Sequence, residues 1–155
     1  MLVPLLSRID HVGIACRDLD AAIGRYQATF GLEVASLEVN EEQGVREAML
    51  QVGGGPVGGA AGGAAGLRPG YVQLLEPLSD DTPVARFLAR RGEGLHHVGY
   101  GVADIAAALA DIGARDVRLL DQRPRHGSMG ASIAFLHPAD LGGVLTELVQ
   151  AASPA

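Results

Sequence analysis

Four polar side chains interrupt segments whose pattern is otherwise typical of apolar β-strands: His11, Gln73, His97 and Glu147. Two imidazoles, one amide oxygen and one carboxylate form a nitrogen–oxygen ligand set. Such a set suits a borderline or hard divalent ion, namely Co, Ni, Mn, Zn or Fe(II). Because the set contains no thiolate, a closed structural zinc site is not expected, and positions would stay open for water or substrate.

A repeated stretch of sequence indicates why these side chains should meet. The stretch Asp10-His11-Val12-Gly13-Ile14-Ala15 aligns with His96-His97-Val98-Gly99-Tyr100-Gly101, so that His11 falls on His97. Gln73 and Glu147 then occupy the last strand of their respective copies. Equivalent residues from two copies of one module can converge at a pseudo-twofold axis. The placement therefore predicts one shared metal site.

Each of these residues also has a simpler interpretation when it is taken alone. A histidine near the start of a strand is often a hydrogen-bonded core or rim residue, and a glutamine or glutamate in a strand often faces solvent. Glu47, in the middle of another predicted strand, is either an exposed carboxylate or a general base turned inward. His96, His126 and His137 are expected to be structural.

Length and composition exclude several classes of protein. The chain has 155 residues, a net charge of -6 and 48% hydrophobic residues, and these values fit one packed domain better than a general nucleic-acid binder. No apolar run approaches the roughly 20 residues of a membrane span. A single cysteine, Cys16, excludes an internal disulfide, and the absence of lysine excludes Schiff-base chemistry. We expect a cytoplasmic protein with no membrane or nucleic-acid partner.

The predicted elements follow the order βαβββ, and this order occurs twice along the chain. It predicts an α+β fold with module one over residues 8–78, a linker helix over 79–92 and module two over 93–150. Asp18 or Asp20 should begin the first helix, and Asp81 or Thr82 the linker helix. Further expectations are a strand over Val117–Leu120, a loop over Arg123–Gly130 and a flexible surface loop over the Gly/Ala-rich run Gly53–Gly66.

Several stretches together resemble one family within the vicinal oxygen chelate, or glyoxalase-like, superfamily. The resemblance is to the methylmalonyl-CoA epimerases, and it covers about Arg8 to Gln150. It is carried by Ile9-Asp10-His11-Val12-Gly13-Ile14-Ala15, Asn40 to Leu50, Val72-Gln73-Leu74-Leu75-Glu76-Pro77, Gly92 to Val98, Pro124-Arg125-His126-Gly127-Ser128-Met129-Gly130, Phe135-Leu136-His137-Pro138 and Gly143-Val144-Leu145-Thr146-Glu147-Leu148. The resemblance implies a cupped, eight-stranded mixed sheet formed by the two modules.

The resemblance also implies a chemistry. His11, Gln73, His97 and Glu147 would hold one divalent ion, Co, Mn, Ni or Zn. Glu47 would be one acid/base, Glu147 would be the other, and an acyl-CoA would be the substrate. A homodimer is expected by analogy. The alternatives on the same scaffold are a glyoxalase-like lyase or isomerase, a ring-cleaving dioxygenase, and a non-catalytic module that binds small molecules.

Overall fold

The structure, a computed structural model, describes residues 4–57 and 68–153. The chain divides into two compact units. The central unit spans His11–His96, and the terminal unit joins the residues up to Asp10 to those from His97 onward. Both boundaries between the units fall inside β-strands. The predicted module limits follow the sequence repeat and stay a prediction.

The central unit contains most of the first βαβββ module and the linker helix. Its strands run in the order β2-β3-β4-β1, with antiparallel β2/β3 and β3/β4 pairs and a parallel β4/β1 pair. Helix α1 packs its buried positions against β3 and β4. The elements are β1 (Arg8–Ala15), α1 (Leu19–Phe30), β2 (Val34–Asn40), β3 (Val45–Val52), β4 (Gly70–Pro77) and α2 (Pro83–Arg91).

The terminal unit contains most of the second module in the same arrangement. Its strands run in the order β5-β8-β7-β6, with β5 parallel to β8 and the other pairs antiparallel. Helix α3 packs on β7 and β8 around buried leucine, isoleucine and alanine side chains. The elements are β5 (Gly94–Gly101), α3 (Ile105–Gly113), β6 (Arg125–His126), β7 (Ser132–Leu136) and β8 (Thr146–Gln150).

Each α-helix begins at a side chain that accepts a hydrogen bond from its first turn. Asp18 accepts from the Ala21 amide at 2.9 Å, which confirms the first of the two residues proposed for α1. Asp104 does the same for α3, and Thr82 caps α2. Such caps satisfy backbone N–H groups that have no partner inside the helix. Gly31 ends α1 with a φ of 68°, a left-handed conformation that glycine adopts without strain.

The expected strand over Val117–Leu120 is wrong. Only Leu119 forms a bridge there, to Leu136, and the paired strand is instead β6, inside the segment predicted to be a loop. Side-chain contacts hold the Val117–Leu120 segment: Asp140 accepts from both the backbone N–H and the guanidinium of Arg118 at 2.9 Å. The Arg118 N–H is therefore not available to a ladder, and the backbone bonds between this segment and β7 amount to a single bridge.

The predicted fold class agrees with the structure. Two βαβββ modules are present, and each combines parallel with antiparallel strand pairs, which confirms the predicted α+β class. The flexible loop expected over Gly53–Gly66 lies largely outside the described residues, from 58 onward. Among the described helices, none combines the length and the hydrophobicity that a membrane span requires.

Candidate active site

In the central unit, two of the predicted metal ligands lie on the parallel pair β1/β4. Gln73 pairs with Gly13, and His11 precedes Gly13 by two positions on β1. Alternate residues of a strand point to the same face, so His11 and Gln73 project from the same face of this strand pair. Both are buried, with exposed fractions of 3% for His11 and 5% for Gln73. Burial of this kind rules out the solvent-facing interpretation of Gln73.

Glu47 is a further polar group on this face of the central unit. On the β3/β4 pair, Glu47 stands opposite Leu75 and Gln73 stands opposite Met49, so Glu47 and Gln73 are diagonal neighbours. The Gln73 Nε2 donates a hydrogen bond to the Glu47 Oε2 at 2.6 Å. The exposed fraction of Glu47 is 2%. Glu47 therefore points inward. This agrees with the hypothesis of a general base and contradicts the interpretation of Glu47 as an exposed carboxylate.

In the terminal unit, the other two predicted ligands lie on the equivalent parallel pair β5/β8. Glu147 pairs with Gly99, two positions after His97, so the register repeats that of the central unit. The His97 Nε2 and the Glu147 Oε2 are 2.8 Å apart, and both side chains are buried. The imidazole also meets the Phe135 ring edge-on, with 5.4 Å between centroids. These contacts fix the direction of both donor atoms.

The donor atoms of His97 and Glu147 fit a bound metal ion. A nitrogen and an oxygen that each lie about 2.0–2.2 Å from one ion are separated by distances close to the 2.8 Å observed here. Both residues belong to the terminal unit and are among the buried residues that could hold a metal ion. A buried carboxylate is also costly unless a cation or hydrogen bonds compensate its charge.

The remaining histidines do not share this environment. The His96 ring packs edge-on against Phe87, with centroids 5.0 Å apart. His137 caps the short 3-10 turn Pro138–Asp140, where its Nδ1 accepts from the Ala139 amide at 3.1 Å. His126 is exposed on β6. The expectation of a structural role is thus given a physical basis for His96 and His137.

Phe135 is a contributor to the site that sequence reasoning missed. In the sequence it belongs to a stretch that resembles the family, but nothing there assigns it a neighbour. Phe135 pairs with Glu147 on the β7/β8 ladder, and its ring packs against the His97 imidazole. An aromatic residue opposite a candidate ligand was the available signal, but it depends on the strand register, which the sequence alone does not set.

Comparisons with known proteins show which proteins this chain is similar to. The family model "Glyoxalase/Bleomycin resistance protein/Dioxygenase superfamily" matches residues 10–135. The structure resembles that of a variant of the Streptomyces coelicolor methylmalonyl-CoA epimerase in complex with 2-nitronate-propionyl-CoA. The two sequences are 53% identical, the match covers 96% of this chain and 99% of that one, and the TM-score is 0.85.

Two curated relatives extend the similarity beyond one genus. The chain is 33% identical to the ethylmalonyl-CoA/methylmalonyl-CoA epimerase of Cereibacter sphaeroides, over 94% of this chain and 99% of that one. It is 34% identical to the mitochondrial methylmalonyl-CoA epimerase of Bos taurus, over 94% and 75% respectively. The chain belongs to the methylmalonyl-CoA epimerase family. Within the glyoxalase superfamily, the family membership confirms the resemblance found in the sequence.

Proposed function

We propose that this chain interconverts the two C2 epimers of methylmalonyl-CoA, or of a closely related 2-substituted malonyl-CoA. The observation that carries the proposal is Glu47, a buried carboxylate 2.6 Å from Gln73, in a member of the methylmalonyl-CoA epimerase family. Inversion at C2 requires a base that removes the proton next to the thioester carbonyl and an acid that returns one from the other side.

His11, Gln73, His97 and Glu147 would hold a divalent ion, with Co, Mn, Ni and Zn as candidates. When bound, the ion would supply Lewis-acid stabilisation of the negative charge that develops on the thioester oxygen. The burial of all four side chains supports this role, because charges interact more strongly where water is excluded. The 2.8 Å separation of the His97 and Glu147 donor atoms supports it further.

Glu47 would take the proton from C2. Its Oε2 is engaged by the Gln73 amide, which holds the carboxylate in one orientation. A base held in this way loses little entropy when it meets its substrate. Glu147 would act on the opposite face of the planar intermediate. Glu147 would thus be both a metal ligand and an acid/base.

Exchange of the C2 hydrogen in heavy water tests the role of Glu47. Wild-type protein with Co or Mn should wash deuterium into C2 of methylmalonyl-CoA, observed by proton NMR. Glu47→Gln should slow this exchange by roughly 10²- to 10⁴-fold, the usual contribution of a general base. The bound metal, measured by elemental analysis, should not change.

Glu33→Gln is the matched control, because it makes the same chemical change at an exposed carboxylate just before β2. It should exchange as fast as wild type. Wild-type exchange rates in Glu47→Gln would remove Glu47 from the mechanism.

We further propose an acyl-CoA as the natural ligand, a homodimeric assembly and a cytoplasmic location. The acyl-CoA proposal is supported by the ligand of the S. coelicolor structure and the names of both curated relatives. The assembly is an expectation from the family resemblance, and light scattering of the purified protein would test it. The location stays a prediction.

A further inference from the structure

The hydrogen bond between Gln73 and Glu47 points to a second task for Glu47. We propose that Glu47 is also a positioning residue, which fixes the orientation of the Gln73 side-chain amide so that its oxygen is presented to the metal ion. The inference rests on the proposed function, since it takes Gln73 to be a ligand. It assigns to Glu47 an effect on metal affinity that its role as a base does not require.

The chemistry of the contact determines which atom of Gln73 faces Glu47. An ionised carboxylate has oxygen acceptors and no donor, so a partner at 2.6 Å must bring an N–H. The amide nitrogen therefore faces Glu47. Because Nε2 and Oε1 diverge from the same carbon, fixing the nitrogen on Glu47 also fixes the direction of the oxygen.

The surroundings make Glu47 an effective anchor for this amide. The backbones of β3 and β4 are paired in continuous register from Val45 with Pro77 to Val52 with Gly70, so the two side chains start from fixed positions. Both side chains are almost completely buried. A terminal amide has a broad torsional preference and would otherwise sample two nearly equivalent orientations. Only one of the two presents oxygen to a cation.

A neighbouring glutamine shows the same dependence on acceptors. Gln51 lies on β3, the strand that carries Glu47, and its amide is directed by backbone carbonyls instead of a carboxylate. The Gln51 Nε2 donates to the Gly53 oxygen at 2.8 Å and to the Gly55 oxygen at 2.6 Å. In both glutamines, the position of the acceptor selects the orientation of the amide.

The test measures cobalt affinity by competition with a chromophoric chelator, in the absence of substrate. Glu47→Ala removes the acceptor, and the dissociation constant should rise about 10- to 100-fold, as is usual when the outer partner of a ligand is lost. Glu47→Gln keeps a side-chain oxygen that can accept from Gln73. Its dissociation constant should stay within about threefold of wild type, although exchange at C2 is lost.

Met49→Leu is the control for packing, because Met49 is buried directly opposite Gln73 and the change preserves volume. Its affinity should equal that of wild type, and circular dichroism should verify that every variant is folded. Equal affinities in wild type, Glu47→Ala and Glu47→Gln would overturn the proposal. So would an equal loss in the two Glu47 variants, because the hydrogen bond would then not be the cause. Failure of the epimerase proposal would show instead as absent C2 exchange in wild type.

Discussion

At the scale of single residues, Cys16 shows what burial does to a reactive group outside the proposed chemistry. Its exposed fraction is 3%, and its Sγ donates to the Leu75 carbonyl. Burial, reinforced by the nearby carboxylates of Glu76, Glu93 and Asp18, raises the pKa of the thiol to about 12. Since the thiolate is the nucleophilic form, Cys16 should be inert in the folded protein.

Alkylation of Cys16 by iodoacetamide at pH 8 should therefore be slow and limited by unfolding. In concentrated urea the same thiol should be alkylated at the rate of an unhindered cysteine, and this measurement is the control. Rapid labelling of the native protein at pH 8 would contradict the burial that the structure describes.

The same pKa shift makes the stability of the protein depend on alkaline pH. The folded pKa of about 12 exceeds the reference value of 9.0, so the unfolded chain loses this proton first as the pH rises. The stability associated with the thiol is complete below pH 9 and decreases between pH 9 and 12. Urea midpoints measured across that window should fall more steeply for wild type than for Cys16→Ala. Equal slopes would exclude this thiol as the cause.

The sequence identified the candidate residues of the site but not their contacts. Histidine, glutamine and glutamate are conspicuous inside apolar strands, and this contrast alone singles out His11, Gln73, Glu47, His97 and Glu147. The direction of the Gln73 amide could not be predicted, because it depends on a diagonal pairing set by the β3/β4 register. The roles of these residues stay predictions.

At the scale of elements, two glycines differ in whether the backbone requires glycine at their position. Gly44, in the turn between β2 and β3, has a φ of 70°, and an added Cβ would come within 2.6 Å of the Thr82 methyl group. Gly44→Ala should destabilise the protein by about 1–3 kcal/mol. Gly24 lies exposed within α1 with nothing near its Cβ position, and Gly24→Ala should stabilise by about 0.5–1 kcal/mol. Urea unfolding of both variants gives the sign. A stabilising Gly44→Ala would contradict the conformation of this turn.

The success of the element predictions depended on local signals. Asp18 precedes an apolar helical pattern and is predicted as a cap, and Asp104 is a cap in the same sequence context. A short acidic side chain can reach the first turn by itself. The strand predicted over Val117–Leu120 failed because strand pairing needs a distant partner. In this segment the conformation is set by the contact between Arg118 and Asp140 and by Asp116, which is left-handed (φ 59°). The short strand Arg125–His126 is too brief to produce a pattern.

At the scale of the whole molecule, the proposed metal ion should stabilise the folded chain. A ligand that binds only the native state at 100 times its dissociation constant adds about 2.7 kcal/mol. For a chain of this size that corresponds to a rise in Tm of roughly 5–10 °C. Thermal unfolding with cobalt and with EDTA measures the difference.

The histidines of the chain provide matched variants for that measurement. His97→Ala should abolish the cobalt-dependent rise in Tm, because it removes a proposed ligand. His126→Ala should preserve it, because His126 is exposed on β6. An unaltered rise in His97→Ala would place the ion elsewhere.

The pairing of Val52 with Gly70 bears on how this chain can be engineered. The two residues stand opposite each other on adjacent strands, so the connection between them begins and ends at almost the same place. Closing a longer connection costs only slightly more entropy, since the penalty grows with the logarithm of its length. The connection could be trimmed to a tight hairpin, or made to carry a grafted epitope or fluorophore, while β3 still delivers Glu47 and β4 still delivers Gln73 to the same points.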